Sequence, residues 1–195
     1  MDAAVLNESK VILLIRRKTT KELLGESIHE LAKIKPVDKI TVKEITDNCG
    51  VAPSTFYRHF RDKYELVAWI YNYQMEDIYM DFCNGSESWR EVVRDMAVIL
   101  DNDRSFYSNA LINTTGPNAF FYATRQRSVE LLTDLVKKEN NGEISAQQLF
   151  DISFYLWGIS CSITEWFLTK LPYSVEQITD YVYKAMPGSL KAFLI

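Results

Sequence analysis

Side chains that donate hydrogen bonds crowd one short stretch of the chain: Ser54, Thr55, Tyr57, Arg58, His59 and Arg61. Hydroxyl, imidazole and guanidinium groups are the donors that bind phosphate oxygens and the edges of bases. Phe56 and Phe60 are four residues apart, so on a helix they point together toward a core, and the donors take the opposite face and its flanks. The spacing predicts a helix that presents donors to nucleic acid.

The residues just before this stretch predict a shorter helix and a tight turn. Thr41 suits the N-cap of a helix, and Val42 and Ile45 recur on one face of it. Gly50 suits the helix end, where a positive φ is needed, and Pro53 suits the first turn of the next helix. Two short helices joined in this way form a helix-turn-helix, whose second helix lies in the major groove of DNA.

A third helix is predicted to begin directly after the donors and to run to about Phe82. Asp62 is its expected N-cap, and Glu65 completes the pattern of a capping box. Lys63 lies in the first turn, where the helix N-terminus already attracts anions. We therefore expect Lys63 to hold one DNA phosphate.

Residues 41–66 resemble the DNA-binding signature of the TetR family of transcriptional regulators. The matching positions are Thr41, Val42, Ile45, Gly50, Val51, Phe56, Tyr57, His59, Phe60, Lys63, Glu65 and Leu66. Three positions depart from the family pattern, since Ala52 replaces a common capping Ser, Ser54 a common Gly, and Tyr64 a common acidic residue. None of them removes a donor that is expected at the DNA.

The resemblance implies a set of DNA contacts: Thr41, Ser54, Thr55, Tyr57, Arg58, His59 and Lys63. Our hypothesis is that Ser54 and Arg58 lie nearest the bases, while Tyr57, His59 and Lys63 hold phosphates. Spacing alone leaves an alternative open, in which this is only a capped helix with a polar face that does not bind DNA, because helix pairs with one polar face are common. A second alternative is a helical protein-interaction module or co-regulator that acts through a partner protein and no longer binds DNA.

Composition and charge agree with a modest globular protein that meets DNA at one end. The 195 residues are 47% hydrophobic and 25% charged, and the low counts of Gly (7) and Pro (5) favour helices. The net charge is −4, but residues 1–66 carry 12 Lys and Arg against 10 Asp and Glu, whereas residues 67–195 carry 10 against 16. A basic end on an acidic body is typical of a protein that contacts DNA through that end alone.

The chain is predicted to be all-α, with about nine helices and no strand. Patterns of the capping-box type begin four of the predicted helices, at Thr19, Ser88, Ser145 and Ser174. Three segments follow from this: an N-terminal extension over 1–18, a helix-turn-helix DNA-binding domain over 19–66, and a C-terminal helical domain for ligand binding and dimerisation over 67–195. The extension ends in a basic arm, which either touches DNA or is a solvated run of charge.

Several function classes find no support in the sequence. Cys49, Cys83 and Cys161 are sparse and odd in number, and neither they nor His29 and His59 have the spacing of metal ligands. No metal or cofactor is therefore expected, and a reducing cytoplasm is the simplest compartment. The chain has no catalytic motif, so we do not expect an enzyme. Its apolar runs are too short to cross a membrane.

The segment 152–164 carries no charge and is predicted to be a buried helix. Four of its residues would let another helix approach closely or would pack against it: Phe154, Gly158, Cys161 and Ser162. The resemblance implies that the last two long helices pair with those of a second chain, and a two-fold dimer would match a palindromic operator on double-stranded DNA. The alternative is that this helix fills only the core of one chain.

The effector is a small molecule or a protein whose identity the sequence does not give. Aromatic side chains with polar tips suit a ligand site, and Tyr73, Tyr107, Tyr122 and Trp157 are the predicted lining. The alternative for each is ordinary core packing. A looser likeness, carried by segments near 104–120 and 166–170, is to a Firmicutes-type subgroup that includes the activator of dihydroxyacetone kinase operons. Some regulators of that kind answer to a protein.

Overall fold

The structure, a computed structural model, describes residues 17–114, 120–169 and 171–195. Within these ranges the chain forms ten α-helices and no strand, so the all-α prediction is confirmed. Most of the predicted N-terminal extension lies outside the described residues. The helices are α1 Thr20–Ala32, α2 Val42–Cys49, α3 Pro53–Tyr57, α4 Lys63–Cys83, α5 Trp89–Asn102, α6 Arg104–Ile112, α7 Phe120–Glu139, α8 Ala146–Thr169, α9 Val175–Lys184 and α10 Lys191–Leu194.

Local capping signals explain where many of these helices begin. The side chains of Thr19, Thr41, Ser88 and Ser174 each accept a hydrogen bond from the backbone N–H three residues on. The side chain of the Glu or Gln at that position accepts one in turn from the backbone N–H of the cap residue. Each pair satisfies two backbone N–H groups that the helix itself leaves unpaired. Short 3₁₀ turns at Val37–Lys39 and Gly188–Leu190, and the terminal helix α10, were not predicted.

The start of α4 differs from the predicted capping box. Asp62 caps the helix, since its Oδ1 accepts from the backbone N–H groups of Tyr64 and Glu65, each at 2.9 Å. Glu65 does not complete the box. Its carboxylate accepts instead from the backbone N–H of Arg61 at 2.6 Å, which secures the turn that leads out of α3.

The first three helices pack into a small head, and α4 to α10 form the body. In the head, α1 lies against α2 and α4, around a core that includes Leu24, Ile28, Ile45 and Phe56, all fully buried. In the body, α4 packs on α5 and α7, α5 on α9, and α7 on α8. The long helix α4 therefore belongs to both units, because its first turn ends the head and its later turns lie inside the body.

A second connection between head and body runs through Asn109 on α6. Its side-chain amide donates to the carbonyls of Ala32 and Lys35 at 2.8 and 2.9 Å, and its Oδ1 accepts from the backbone N–H of Val37 at 2.9 Å. Three backbone groups at and just beyond the C-terminal end of α1 are thus satisfied by one body residue. His29 on α1 also contacts the carboxylate of Asp103 beside α6.

Removing the Asn109 side chain should destabilise the protein. Asn109→Ala leaves the N–H of fully buried Val37 without its acceptor, and an unsatisfied buried polar group costs about 1–3 kcal/mol. The matched control is Asn102→Ala, at an exposed position that ends α5, which we expect to stay within about 0.5 kcal/mol of the parent. Urea unfolding measures the stability of both variants. Equal midpoints for the two would contradict the stabilising role of the Asn109 hydrogen bonds.

Candidate nucleic-acid interface

The turn between α2 and α3 has the geometry that the sequence predicts. Gly50 ends α2 with φ of 71°, a left-handed conformation that favours glycine. Pro53 occupies the first turn of α3, where its missing N–H costs nothing. Ala52 precedes it without a side-chain cap, as expected from its methyl group. The helix-turn-helix therefore rests on backbone conformation more than on a capping side chain.

The helix α3 is short, yet it separates its two faces cleanly. Phe56 is fully buried and Phe60 is 3% exposed, so both enter the core as predicted. Ser54, Tyr57 and Arg58 are exposed on the other side. The rings of Tyr57 and Phe56 meet edge to face, with 5.5 Å between the ring centroids, and Tyr57 remains 61% exposed. The result is a donor-rich surface held by two buried phenyl rings.

Two other predicted DNA contacts, Thr55 and His59, lie at the margin of this surface and are half-buried. His59 lies beyond the last residue of α3, in the turn that leads to α4, and is therefore not on a helix. Its backbone N–H donates to the Phe56 carbonyl at 2.9 Å, which keeps the turn close to α3. The structure thus brings together the predicted contacts Ser54, Thr55, Tyr57, Arg58 and His59.

Thr41 and Lys63, the remaining predicted contacts, have structural roles of their own. The Thr41 hydroxyl takes part in the cap of α2 and donates to Glu44 at 2.8 Å. The Lys63 ammonium donates to the carbonyls of Asp38 and Ile40, both at 2.6 Å. Desolvation by burial is the main reason that the pKa of Lys63 is lowered. One ammonium hydrogen is left for another acceptor.

The Glu44 carboxylate makes the stability of the head depend on pH. Hydrogen bonds from Lys35, and from the backbone and hydroxyl of Thr41, lower the pKa of Glu44 from its usual 4.5 to about 2. Since the folded-state pKa is depressed, this stabilisation is complete above the usual pKa and is lost as the pH falls toward about 2.

We therefore expect the advantage of the parent over Glu44→Gln in unfolding free energy to shrink as the pH falls from 4.5 to about 2. Glu143→Gln is the control, because that side chain is exposed in the turn before α8, away from the cap of α2. Chemical unfolding at a series of pH values measures the difference. A constant difference across this range would contradict the role of Glu44.

The predicted dimer residues share one face of α8. Phe154, Gly158, Cys161 and Ser162 are all exposed in the single chain, and Phe154 is 65% exposed. Phe150 stacks on Phe154 on the same side, with 5.8 Å between ring centroids. The expectation of a helix that is buried on all sides is therefore wrong for one chain. Its other face, with Ile152, Tyr155, Leu156 and Ile159, lies in the core.

The four predicted ligand residues do not form one site. Tyr107 is fully buried in the core, and its hydroxyl donates to Gln74. Tyr73 lies in a different place, where it stacks on Trp69 with 4.9 Å between centroids. Only Tyr122 and Trp157 come together, with their ring centroids 5.5 Å apart between α7 and α8.

The body has a small apolar pocket that sequence reasoning did not identify. It measures about 40 Å³ and is bordered by apolar side chains that include Tyr71, Met96 and Leu100. Polar groups reach it from Thr124, Ser160 and Thr164. Their residue types gave no signal, because hydroxyls on amphipathic helices are common.

Neither a metal centre nor a membrane span is found in the part of the chain that the structure describes. No three His, Cys, Asp or Glu side chains there come close enough to hold a metal ion. No helix there is both long and apolar enough to cross a bilayer.

A helix-turn-helix head with an exposed donor face, joined to a separate helical body, defines a DNA-binding transcriptional regulator. Comparison with known proteins agrees. The family described as "Bacterial regulatory proteins, tetR family" matches residues 26–70, and the family described as "Transcriptional regulator C-terminal region" matches residues 87–188. The chain belongs to the TetR family of transcriptional regulators.

Individual relatives are distant but extend over the whole chain. The HTH-type dhaKLM operon transcriptional activator DhaS of Lactococcus lactis subsp. lactis (strain IL1403) is 21% identical over 194 residues, which is 99% of each chain. The structure of a dihydroxyacetone kinase operon activator DhaS covers 90% of this chain and 98% of its own, with a TM-score of 0.56 and 16% identity. The fatty acid degradation regulator FadR from Bacillus halodurans covers 90% and 99%, with a TM-score of 0.55 and 14% identity. At such identities these structures support the fold alone.

Proposed function

We propose that the chain binds a palindromic operator as a homodimer and that an effector bound to the body alters its affinity for DNA. The observation that carries the DNA-binding part is the exposed donor face of α3 above the buried rings of Phe56 and Phe60. A helix of this kind enters the major groove with its side chains toward the bases. As a bacterial regulator of chromosomal genes, the protein would act in the cytoplasm.

Contacts to DNA divide into two kinds in this proposal. Ser54 and Arg58 read base edges, since Ser54 is exposed on α3, Arg58 is exposed at its C-terminal cap, and a guanidinium can bind two acceptors of one guanine. Phosphates are held by the remaining donors, which are Thr41, Thr55, Tyr57, His59 and Lys63. Lys63 uses its one remaining hydrogen for this purpose, since two carbonyls already engage the others.

The dimer forms, in this proposal, through the exposed face of α8 together with α9. An exposed row of apolar side chains on a helix commonly marks an interface. Phe154, Trp157 and Cys161 supply such a row, and Gly158 within it leaves room for a partner helix. A dimer places two copies of α3 on one side of the duplex, where a single copy would read too few bases.

The effector response is proposed to travel along α4. Its first turn carries Lys63 beside the DNA-contacting surface, and Tyr79 farther along is 1% exposed and hydrogen-bonded to Ser128 in the body. A rigid helix that spans both units can couple them, provided that the effector favours one arrangement of the two heads.

Binding of the intact protein to the DNA upstream of its own gene tests the proposal. A gel-shift titration is run against a scrambled duplex of the same length and composition, at a fixed salt concentration. We expect a shift of the upstream duplex at a protein concentration at least about 100-fold lower than for the scrambled one. No shift of either duplex would favour the alternative, a protein-interaction module or co-regulator.

A further inference from the structure

A groove opens between the DNA-binding head and the body, and we call it the seam groove. Its lining includes Arg61 from the head, Tyr122, Arg125, Gln126 and Val129 from α7, and Ser153 from α8. The α7 residues are spaced three or four apart, so they share one face of that helix. The groove has a volume of about 890 Å³. Sites for small organic ligands have volumes of roughly 300–1,000 Å³.

The Arg125 guanidinium, which lines the groove, has no anionic partner among the described residues. The Arg125 guanidinium lies over the ring of Trp157, with 5.0 Å from its central carbon to the ring centroid. Its Nε is closed to solvent and meets no hydrogen-bond acceptor in the described part of the chain. An arginine without a carboxylate partner can bind the anionic group of a ligand through charge-assisted hydrogen bonds.

The neighbouring arginine on α7 behaves differently. Arg127 points toward α4, where it pairs with Glu76 at 3.2 Å. The two arginines therefore differ: Arg127 pairs with a carboxylate of the chain, whereas Arg125 pairs with no carboxylate of the described residues. Glu130 also borders the groove, but its carboxylate accepts a hydrogen bond from Gln126 at 3.1 Å.

Arg61 adds a second positive charge to the groove from the side of the head. Its side chain is 77% exposed, and its contact with Asp62 is long, at 3.4 Å. An anion in the groove would be attracted both to Arg61 in the head and to Arg125 in the body. It would therefore influence how the two units sit together, although the exposed Arg61 should contribute less because solvent screens it.

The remaining walls suit a planar apolar group. Tyr122 and Val129 border the groove on either side of Arg125 along α7, and the ring of Tyr122 packs against Trp157 with 5.5 Å between the ring centroids. The small pocket of the body measures only about 40 Å³, which has room for a few water molecules. Of these two spaces, the seam groove is the one that can accept a metabolite-sized molecule.

We propose that the seam groove is a binding site for a small organic anion with a planar apolar body, held by Arg125 and assisted by Arg61. The inference rests on the effector response proposed above, to which it gives a place and a ligand class. The anionic group meets the Arg125 guanidinium, and the apolar body lies along Tyr122 and Val129.

Two fluorescent probes of nearly the same shape test this site in the intact protein. Anilinonaphthalene sulfonate carries the anionic group, and phenylnaphthylamine is its neutral counterpart. Their dissociation constants are measured for the parent, Arg125→Gln, Arg61→Gln and the matched control Arg127→Gln. The control removes an arginine from the same helix, but from the face that meets Glu76.

We expect Arg125→Gln to raise the dissociation constant of the sulfonate about 10-fold or more, because one charge-assisted hydrogen bond is lost. The neutral probe should change by less than about twofold, and Arg61→Gln should show a smaller effect of the same kind. Arg127→Gln should leave both probes unaffected. Equal sulfonate binding by the parent and Arg125→Gln would overturn the proposal, and so would an equal loss with Arg127→Gln or with the neutral probe.

A DNA titration of the same four proteins without probe separates this inference from the proposed function. We expect Arg125→Gln to bind the upstream duplex as the parent does. If it lost DNA affinity as strongly as it lost the sulfonate, the groove would be part of the DNA surface and the proposal would be wrong. A parent that binds the sulfonate through Arg125 but no DNA would instead contradict the proposed regulator.

Discussion

Gly158→Arg should convert the protein into a folded monomer. A Cβ at Gly158 would meet no atom within 4 Å in its own chain, so the substitution has room and should not unfold it. In the proposed dimer the same side chain would place an unpaired charge in an apolar helix contact. We expect a cost of about 3 kcal/mol or more, which raises the dissociation constant of the dimer at least about 100-fold.

Light scattering and circular dichroism measure the assembly and the fold of this variant. Cys83→Arg is the matched control, because Cys83 is exposed at the end of α4, away from the α8 face. The control should remain a dimer and bind DNA, whereas Gly158→Arg should keep its helical content and lose most of its operator affinity. A stable Gly158→Arg dimer would mean that the interface lies elsewhere.

Arg58→Ala should reduce affinity for the operator by about 1–3 kcal/mol and also relax its sequence specificity. Arg58 is exposed at the C-terminal cap of α3, and its side chain forms no ion pair with the other described residues. Loss of a base contact lowers the affinity only for DNA of the correct sequence, whereas loss of a phosphate contact lowers the affinity for DNA of every sequence. Fluorescence anisotropy on the operator and on a scrambled duplex therefore distinguishes the two roles.

Arg94→Ala is the matched control for this prediction. It removes the same charge from an exposed arginine of the body, which pairs with Asp95 beside it. The control should bind both duplexes as the parent does. If Arg58→Ala weakened binding equally on the operator and the scrambled duplex, Arg58 would be a phosphate contact and the assignment to base readout would be wrong.

Local signals in the sequence gave the fold correctly because each depends on neighbours along the chain. Thr41 and Glu44 form a capping box from three residues apart, and Gly50 ends α2 whatever lies across from it. Phe56 and Phe60 indicated the buried face of α3 for the same reason. Helical spacing alone predicts which side chains share one face of a helix.

Contacts between distant segments could not be predicted in this way. The Lys63 ammonium meets the carbonyl of Asp38, which lies 25 residues earlier, and Asn109 meets Val37 across 72 residues. Tyr107 and Tyr122 are equally aromatic in the sequence, yet one is fully buried and the other 46% exposed. Burial of that kind is decided by how whole helices pack, which a helical pattern does not encode.

The most direct test of the account is the DNA that the intact protein selects from a pool of random duplexes. The two-fold dimer predicts that the enriched sequence is an inverted repeat, with half-site centres about 34 Å, or one helical turn, apart or a multiple of that spacing. Each selected duplex should bind an even number of chains. Enrichment of no sequence, or of a single half-site bound by one chain, would contradict the account.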